Sequence, residues 1–295
     1  MAIGVTGTVE MNGETQQQIY EDAVFAMEAS AIAVQMGNVL DFNDRQDDSE
    51  RRGGRYPKVN AETVGEYDDY SSPQKFDITN FASLTPVEKI AMVALTDKRR
   101  RREGEQVYSN VASELGQAMA RSVDDALISG IATFTGGTLG NGTGAINWKY
   151  LAAARSRLRK AGYEGPIEAL LCEYHAYDLG ILTVPGTTVT NQNEKLQDEV
   201  LDTGFLGRFM GIDIYVSGRV PITSEGEASA NAKSGVFAKG ALALDRRVDP
   251  ILEPERKQGG RRWNLFMHQE FAAGGWDKAG GIILHALAKT PDPTA

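Results

Sequence analysis

Cys172 and His175 form a Cys-x-x-His pair in a chain with one cysteine and three histidines. Such a pair offers two chemistries: two ligands toward a metal ion, or a thiol beside the base that takes its proton. Neither set is complete, because His268 and His285 lie far away in sequence and there is no second cysteine. Cys172 also closes the apolar run Pro166-Ile-Glu-Ala-Leu-Leu-Cys172, where a free cysteine packs as a small core residue. A second candidate, Gly140-Asn-Gly-Thr-Gly-Ala145, formally matches the G-x-G-x-x-A dinucleotide fingerprint. That fingerprint works only when a strand delivers the loop to a helix N-terminus, and here a long helical pattern precedes it. No Walker-type Gly-Lys-Ser/Thr, Gly-x-Ser-x-Gly or His-Glu-x-x-His occurs.

The five consecutive cations Lys98 to Arg102 are a candidate for phosphate. Adjacent helical positions diverge by about 100°, so the run is expected to encircle its helix and not to form one flat patch. No interleaved aromatics offer base stacking, and salt bridges to neighbouring subunits or to an acidic segment are the expectation. Acidic pairs such as Asp124-Asp125 are expected on a solvated helix face. No catalytic, cofactor or metal site follows from these residues, and an enzyme reading would rest on Cys172 and His175 alone.

The elements that would position these residues come in a legible order. Ile19, Ala23, Ala26, Met27, Ala31 and Val34 recur at helical spacing, and Gly37-Asn38 offers a stop. From Asp41 to Gly65 the chain turns polar, with Asp44, Asp47, Asp48 and Glu50 followed by Arg51, Arg52 and Arg55. The aromatics Tyr56, Tyr67 and Tyr70 favour an arm that makes contacts over a disordered linker. Thr85-Pro-Val-Glu88 predicts a helix start with Thr85 as cap. A long helix follows, with Val107, Val111, Leu115, Ala118, Ser122, Ala126 and Leu127 on its core face and Glu114, Gln117, Arg121 and Asp124 opposite. Thr135 to Gly144 is expected to be a flexible loop. Asn147 predicts an N-cap for a helix over 148–161, with Trp148, Leu151, Ala154 and Leu158 buried. A strand closing at Cys172, a short helix from His175 to Leu182 and a polar loop near 185–197 come next. Ile212, Ile214 and Val216 alternate as in a half-buried strand, 225–234 is expected to be a loop, and the C-terminal part predicts strands. Helices and strands segregate by region, which argues for an α+β class.

Composition bounds what such a chain can be. Its 295 residues carry 31 Lys plus Arg against 40 Asp plus Glu, a formal net charge of -9. A lone cysteine excludes a disulfide scaffold. No apolar run approaches the roughly 20 residues of a membrane-spanning helix, and the first residues lack a secretory-signal pattern. A soluble, cytoplasmically made protein is expected. The acidic balance argues against a chain whose main task is gripping nucleic acid.

This order of elements resembles the HK97-fold major capsid proteins of tailed bacteriophages. In the likeness, residues 1–37 correspond to the N-arm and 38–80 to the extended loop. Residues 81–146 and 237–295 correspond to the peripheral domain, with its spine helix near Glu103 to Ile131, and 147–236 to the axial domain. The segment from Gly204 to Ser217, Gly-Phe-Leu-Gly-Arg-Phe-Met-Gly-Ile-Asp-Ile-Tyr-Val-Ser, is similar to a recurrent segment of that family. Gly280-Gly-Ile-Ile-Leu-His-Ala286 resembles the strand that closes the peripheral-domain sheet.

The resemblance implies a structural, non-enzymatic protein without cofactor that assembles in the host cytoplasm into the virion. It implies pentamers and hexamers of an icosahedral shell around double-stranded DNA, which is held without sequence-specific binding. A portal protein, a separate scaffolding protein and a decoration protein are the implied partners, and no membrane is involved. A fused scaffolding domain is not expected. Asp44, Asp47, Asp48, Arg51, Arg52, Arg55, Arg99, Arg100, Arg101 and Arg102 are the expected inter-subunit contacts. Lys58 and Lys75 fall in the loop, with no cross-linking partners assigned. An encapsulin-like nanocompartment shell is the alternative.

Overall fold

The computed structural model describes residues 13–30, 35–42, 50–55, 79–103, 106–181 and 205–291. The acidic residues Asp44, Asp47 and Asp48, the tyrosines 56, 67 and 70, the lysines 58 and 75 and the polar stretch 185–197 lie outside them. In chain order the elements are helix α1 (Gly13–Ser30), β1 (Leu40–Phe42), β2 (Arg51–Arg55), β3 (Thr79–Leu84), β4 (Val87–Thr96), α2 (Asp97–Glu103) and α3 (Gln106–Ile131). They continue with β5 (Thr138–Leu139), α4 (Trp148–Lys160), β6 (Ile167–Cys172), α5 (Glu173–Ile181), β7 (Phe205–Phe209), β8 (Ile212–Ser217) and β9 (Ile222–Thr223). The last are β10 (Asn231–Ala238), β11 (Leu242–Lys257), β12 (Arg262–Gly275) and β13 (Gly281–Leu287). No helix among the described residues is long and apolar enough to cross a membrane.

Three sheets organise these strands: a ribbon in the order β1-β11-β12-β4, a seven-stranded sheet in the order β5-β13-β10-β6-β8-β7 with β9 on β10, and the two-stranded β2-β3 stem. The 26-residue α3 runs between α1 and the ribbon at one end and between the sheets at the other. Its N-terminal half packs Val107, Val111, Leu115 and Met119 against Ile19 and Ala23 of α1 and against Leu95, Leu265 and Met267 of the ribbon. Its C-terminal half sets Val123, Leu127, Ile128 and Ile131 between the sheets, beside Leu170, Phe237, Leu244 and Phe271. On the other face of the large sheet, Leu151, Ala154 and Leu158 of α4 cover Ile167, Ala169, Ile212, Ile214 and Ile282. β6 is therefore buried on both faces, which is why its sequence is a nearly continuous apolar run.

Several expectations change. Val87–Thr96 is a strand, antiparallel to Phe271–Arg262, and no helix starts at Thr85. Its alternation is real: Ala91, Val93 and Leu95 face α3 and α1, while Ile90 and Met92 face outward. The helix instead begins after Thr96, whose Oγ1 accepts from Arg99 N. Asp124 is buried in α3, not solvated, because the helix is enclosed by α1 on one side and the sheets on the other. Thr135–Gly144 is tied down along β13: Thr138 and Leu139 pair with Ile283 and Leu284, and Gly142 N donates to His285 O at 3.0 Å. Asn231–Ser234 is strand, not loop.

Other expectations hold. Asn147 caps α4 by accepting from Lys149 N at 2.9 Å, and Ile212, Ile214 and Val216 point into the core. α1 reaches the body at Gly116 of α3, where an added Cβ would stand 2.1 Å from the backbone oxygen of Ala23. Only glycine permits so close a crossing.

Candidate assembly surfaces

The root of the polar segment is the most elaborately built feature outside the core. β1 runs parallel to β11 through Leu40↔Ala243 and Phe42↔Asp245, which carries the chain from the N-terminal helix across the ribbon edge. Asp245, fully buried, stands between two arginines: Arg247 Nε donates to Oδ2 at 2.9 Å, and Arg51 Nε lies 3.0 Å from Oδ1. The Arg51 contact is an ion pair without hydrogen-bond alignment. Its guanidinium also covers the Phe42 ring at 4.4 Å. Arg246 pairs with Asp41 at 3.2 Å, and Phe42 meets Trp276 at 5.2 Å. Gly53 of β2 lies flat against Trp276, with room for no Cβ, since one would fall 2.7 Å from the ring. Leu84, at the far end of β3, closes the small cluster with Ala243 and Ala272.

These contacts pin the first residues of β2 and the last of β3, and residues 56–78 lie in sequence between the two strands. Arg51, expected to meet another subunit, is buried against Asp245 of its own chain. Arg52 is exposed and pairs with Glu50 at 3.1 Å; Arg55 ends β2. Sequence reasoning does not single out Asp245. Its signal is a carboxylate closing the apolar run Ala241–Leu244 directly before Arg246-Arg247.

A second carboxylate holds the junction behind α1. Glu168 in β6 is buried and accepts from Asn38 N at 3.1 Å, while Asn38 Nδ2 donates to Pro166 O at 3.0 Å. Burial pushes the Glu168 carboxyl above the usual carboxylate range, opposed by hydrogen bonds from the Asn38 and Gly37 backbone.

The basic run forms the outer end of the ribbon. Asp97 fastens it there: its carboxylate grips both Nη atoms of Arg256 at 2.6 Å, and its N–H donates to Arg261 O at 3.0 Å. The Arg256 hydrogen bonds hold the Asp97 carboxyl below its ordinary range. Arg100 turns back over the Tyr108 ring at 5.7 Å, and Arg101 Nε donates to Asp97 O at 3.2 Å. Arg99 and Arg102 are exposed.

Cys172 and His175 come together in the core, though not as a thiol and its base. Cys172 N donates to Ser234 Oγ at 3.0 Å, Ser234 Oγ lies 2.7 Å from His175 Nδ1, and His175 Nε2 lies 3.3 Å from Ala286 O. A carbonyl can only accept, so Nε2 carries the proton and Nδ1 accepts from the serine hydroxyl. Burial raises the Cys172 thiol and lowers the His175 imidazole, so both are neutral. The chain of bonds joins β6, α5, β10 and β13, and both side chains are sealed from solvent. Among the described residues, no group of three or more His, Cys, Asp or Glu is arranged for a metal ion.

A sequence model of the family described as phage capsid protein matches residues 82–284, more than half of the chain. The chain belongs to this family. Its fold is the HK97-like capsid fold, of α+β class. The capsid of Ralstonia phage GP4 is similar over 86% of this chain and 88% of that one, with 10% identity and a TM-score of 0.69. The capsid of a native GTA particle covers 88% of this chain and 91% of its own, at 14% identity and a TM-score of 0.66. A virus-like particle from Pyrococcus furiosus covers 91% and 98%, at 12% identity and a TM-score of 0.59. No curated protein sequence matches the chain. This phage capsid protein is a structural major capsid protein of the virion, and the encapsulin-like alternative is not better supported.

Proposed function

We propose that this major capsid protein self-assembles in the host cytoplasm into pentamers and hexamers of an icosahedral head that encloses double-stranded DNA. The observation that carries this reading is the family match over 82–284. A shell subunit must meet several neighbours through heterologous contacts that close around symmetry axes. Contacts that are individually modest become durable when each subunit is held at several places.

The clamped root around Asp245 supports an inter-subunit role for residues 56–78: it fixes the two stem strands between which they lie in sequence. Asp44, Asp47, Asp48, Arg52 and Arg55 are the proposed inter-subunit contacts, while the arginines of α2, expected to join them, lie at the outer end of the ribbon. Arg51 contributes indirectly, by holding the root. Residues 1–37 act as the N-arm, 81–146 with 237–295 as the peripheral domain and 147–236 as the axial domain. β13, paired with β10, ties the last of these to the rest. A portal protein, a separate scaffolding protein and a decoration protein are the proposed partners. No chemistry is assigned to Cys172 and His175, whose polar atoms serve packing.

Replacing residues 57–77 by a short Gly-Ser link tests the role of the segment while leaving Arg51 and both stem strands in place. The expected variant folds with the parent's thermal midpoint and forms no closed shells by electron microscopy. Closed shells of the parent's diameter would overturn the role given to the segment.

A further inference from the structure

We propose that the outer end of the ribbon is a binding surface for the phosphate backbone of double-stranded nucleic acid. Two segments about 150 residues apart build it: α2, and the β11–β12 hairpin from Glu253 to Arg262. Together they hold nine cations, Lys98, the arginines 99–102, Arg256, Lys257, Arg261 and Arg262, against four carboxylates. That surplus of positive charge sits on a chain whose net charge is -9, so the rest of the surface is more acidic still. Asp97 makes the two segments one body, through its bidentate pair with Arg256 and its backbone bond to Arg261.

The helix presents its charges in one direction. Arg100, the middle residue of the run, turns back over the Tyr108 ring and is half-buried. The other four, Lys98, Arg99, Arg101 and Arg102, lie on the solvent side, and at 100° per residue they span an arc of about 160°. The run therefore does not encircle its helix with equivalent charges, as the sequence suggests, but spreads four of them over the outward half. Lys257 adds another exposed cation from the hairpin.

The composition of the patch selects the partner. The core of a protein interface is depleted in charge and built on apolar and aromatic anchors. Here Tyr108 and Trp263 lie under Arg100 and Arg256 and offer no open ring face among the exposed cations. Closely spaced arginines and lysines without an apolar centre suit a row of phosphates, which they contact without reading sequence. Absence of a stacking platform favours a duplex over a single strand. Binding of this kind does not require that the chain form a shell, so its failure would leave the shell reading intact.

The test uses the full chain at nanomolar concentration and a fluorescent, mixed-sequence DNA duplex of about 30 base pairs, with anisotropy read at a series of salt concentrations. Engaging about four phosphates gives a slope of log affinity on log salt of roughly -4. Lys98→Glu with Arg102→Glu is expected to lower affinity at least tenfold at about 50 mM salt and to bring the slope to roughly -2. Lys257→Glu alone, from the hairpin side, is expected to lower affinity and flatten the slope by about 1. The same charge change on α4, Lys149→Glu with Lys160→Glu, should stay within about twofold of the parent. No binding by the parent, an equal loss in the α4 control, or parental affinity in the α2 variant would each overturn the proposal. So would displacement of the duplex by an equimolar peptide of residues 41–50, which would make the surface a contact for an acidic protein segment.

Discussion

Gly116→Ala inverts the usual expectation for its substitution. In an open helix interior, glycine to alanine gains about 1 kcal/mol, because alanine loses less backbone entropy. At Gly116 the added methyl would sit 2.1 Å from the Ala23 carbonyl oxygen and 3.1 Å from the Ala26 Cβ. Ordinary contacts begin near 3.5 Å, so α1 must retreat from α3 by about 1 Å or more along their closest approach. Ile19 and Ala23 are fully buried at that contact and Met27 nearly so. Burying the isoleucine and the methionine contributes about 1.5–3 kcal/mol each. A retreat that forfeits most of this, offset by the helix gain, leaves a net loss of about 2–4 kcal/mol. Hydrogen exchange on a peptide covering α1 should show protection falling by at least the corresponding factor. Gly180→Ala, at a helical glycine with nothing within 4 Å of its added methyl, should be neutral or gain up to about 1 kcal/mol. An unchanged or raised urea midpoint for Gly116→Ala, with α1 protection intact, would refute the close crossing.

Three further substitutions probe the buried polar groups. Asp245→Ala leaves Arg51 and Arg247 buried without their shared carboxylate, and should cost about 3–5 kcal/mol in denaturant titration; a loss under about 1 kcal/mol would contradict the clamp. His175 has its folded pKa lowered by burial, so the stability it contributes is present above about 6.5 and is lost as pH falls below it. His175→Gln should make the stability profile shallower below pH 6.5 by up to about 1.4 kcal/mol per pH unit, and an unchanged slope would argue against a buried neutral imidazole. Glu168 shifts the opposite way, so its favourable contribution is present below about 4.5 and is lost as pH rises through the raised value. Glu168→Gln, which keeps one acceptor for Asn38 N, should be at least as stable as the parent at pH 8; a loss above about 1 kcal/mol there would show that the charge itself holds the junction.

Local signals carry some of the fold and miss what depends on distant partners. Asn147 and the alternation of Ile212, Ile214 and Val216 each declare themselves within one element and are found in place. α3, by contrast, forms with its buried face turned toward Met119, Val123 and Ile128 and away from Ala118, Ser122 and Ala126. β4 is hidden because Thr85-Pro-Val-Glu88 imitates a helix cap, while the ladder that makes it a strand is supplied by β12, some 170 residues later. Asp124 looks solvated because one helical wheel cannot show that α1 and both sheets enclose α3. At the root, the charges and aromatics of the polar segment suggest contacts but not their anchor, since Arg51 and Asp245 meet only through the parallel pairing of β1 with β11. The Cys172–His175 spacing points to a neighbourhood that is real, but Ser234, not the thiol, occupies the imidazole.

The most direct measurement is electron microscopy of the purified full chain, alone and co-expressed with the scaffolding protein proposed for it. Uniform closed shells, or at least rings of five and six, are the expected result. A stable monomer or dimer under both conditions would contradict the account.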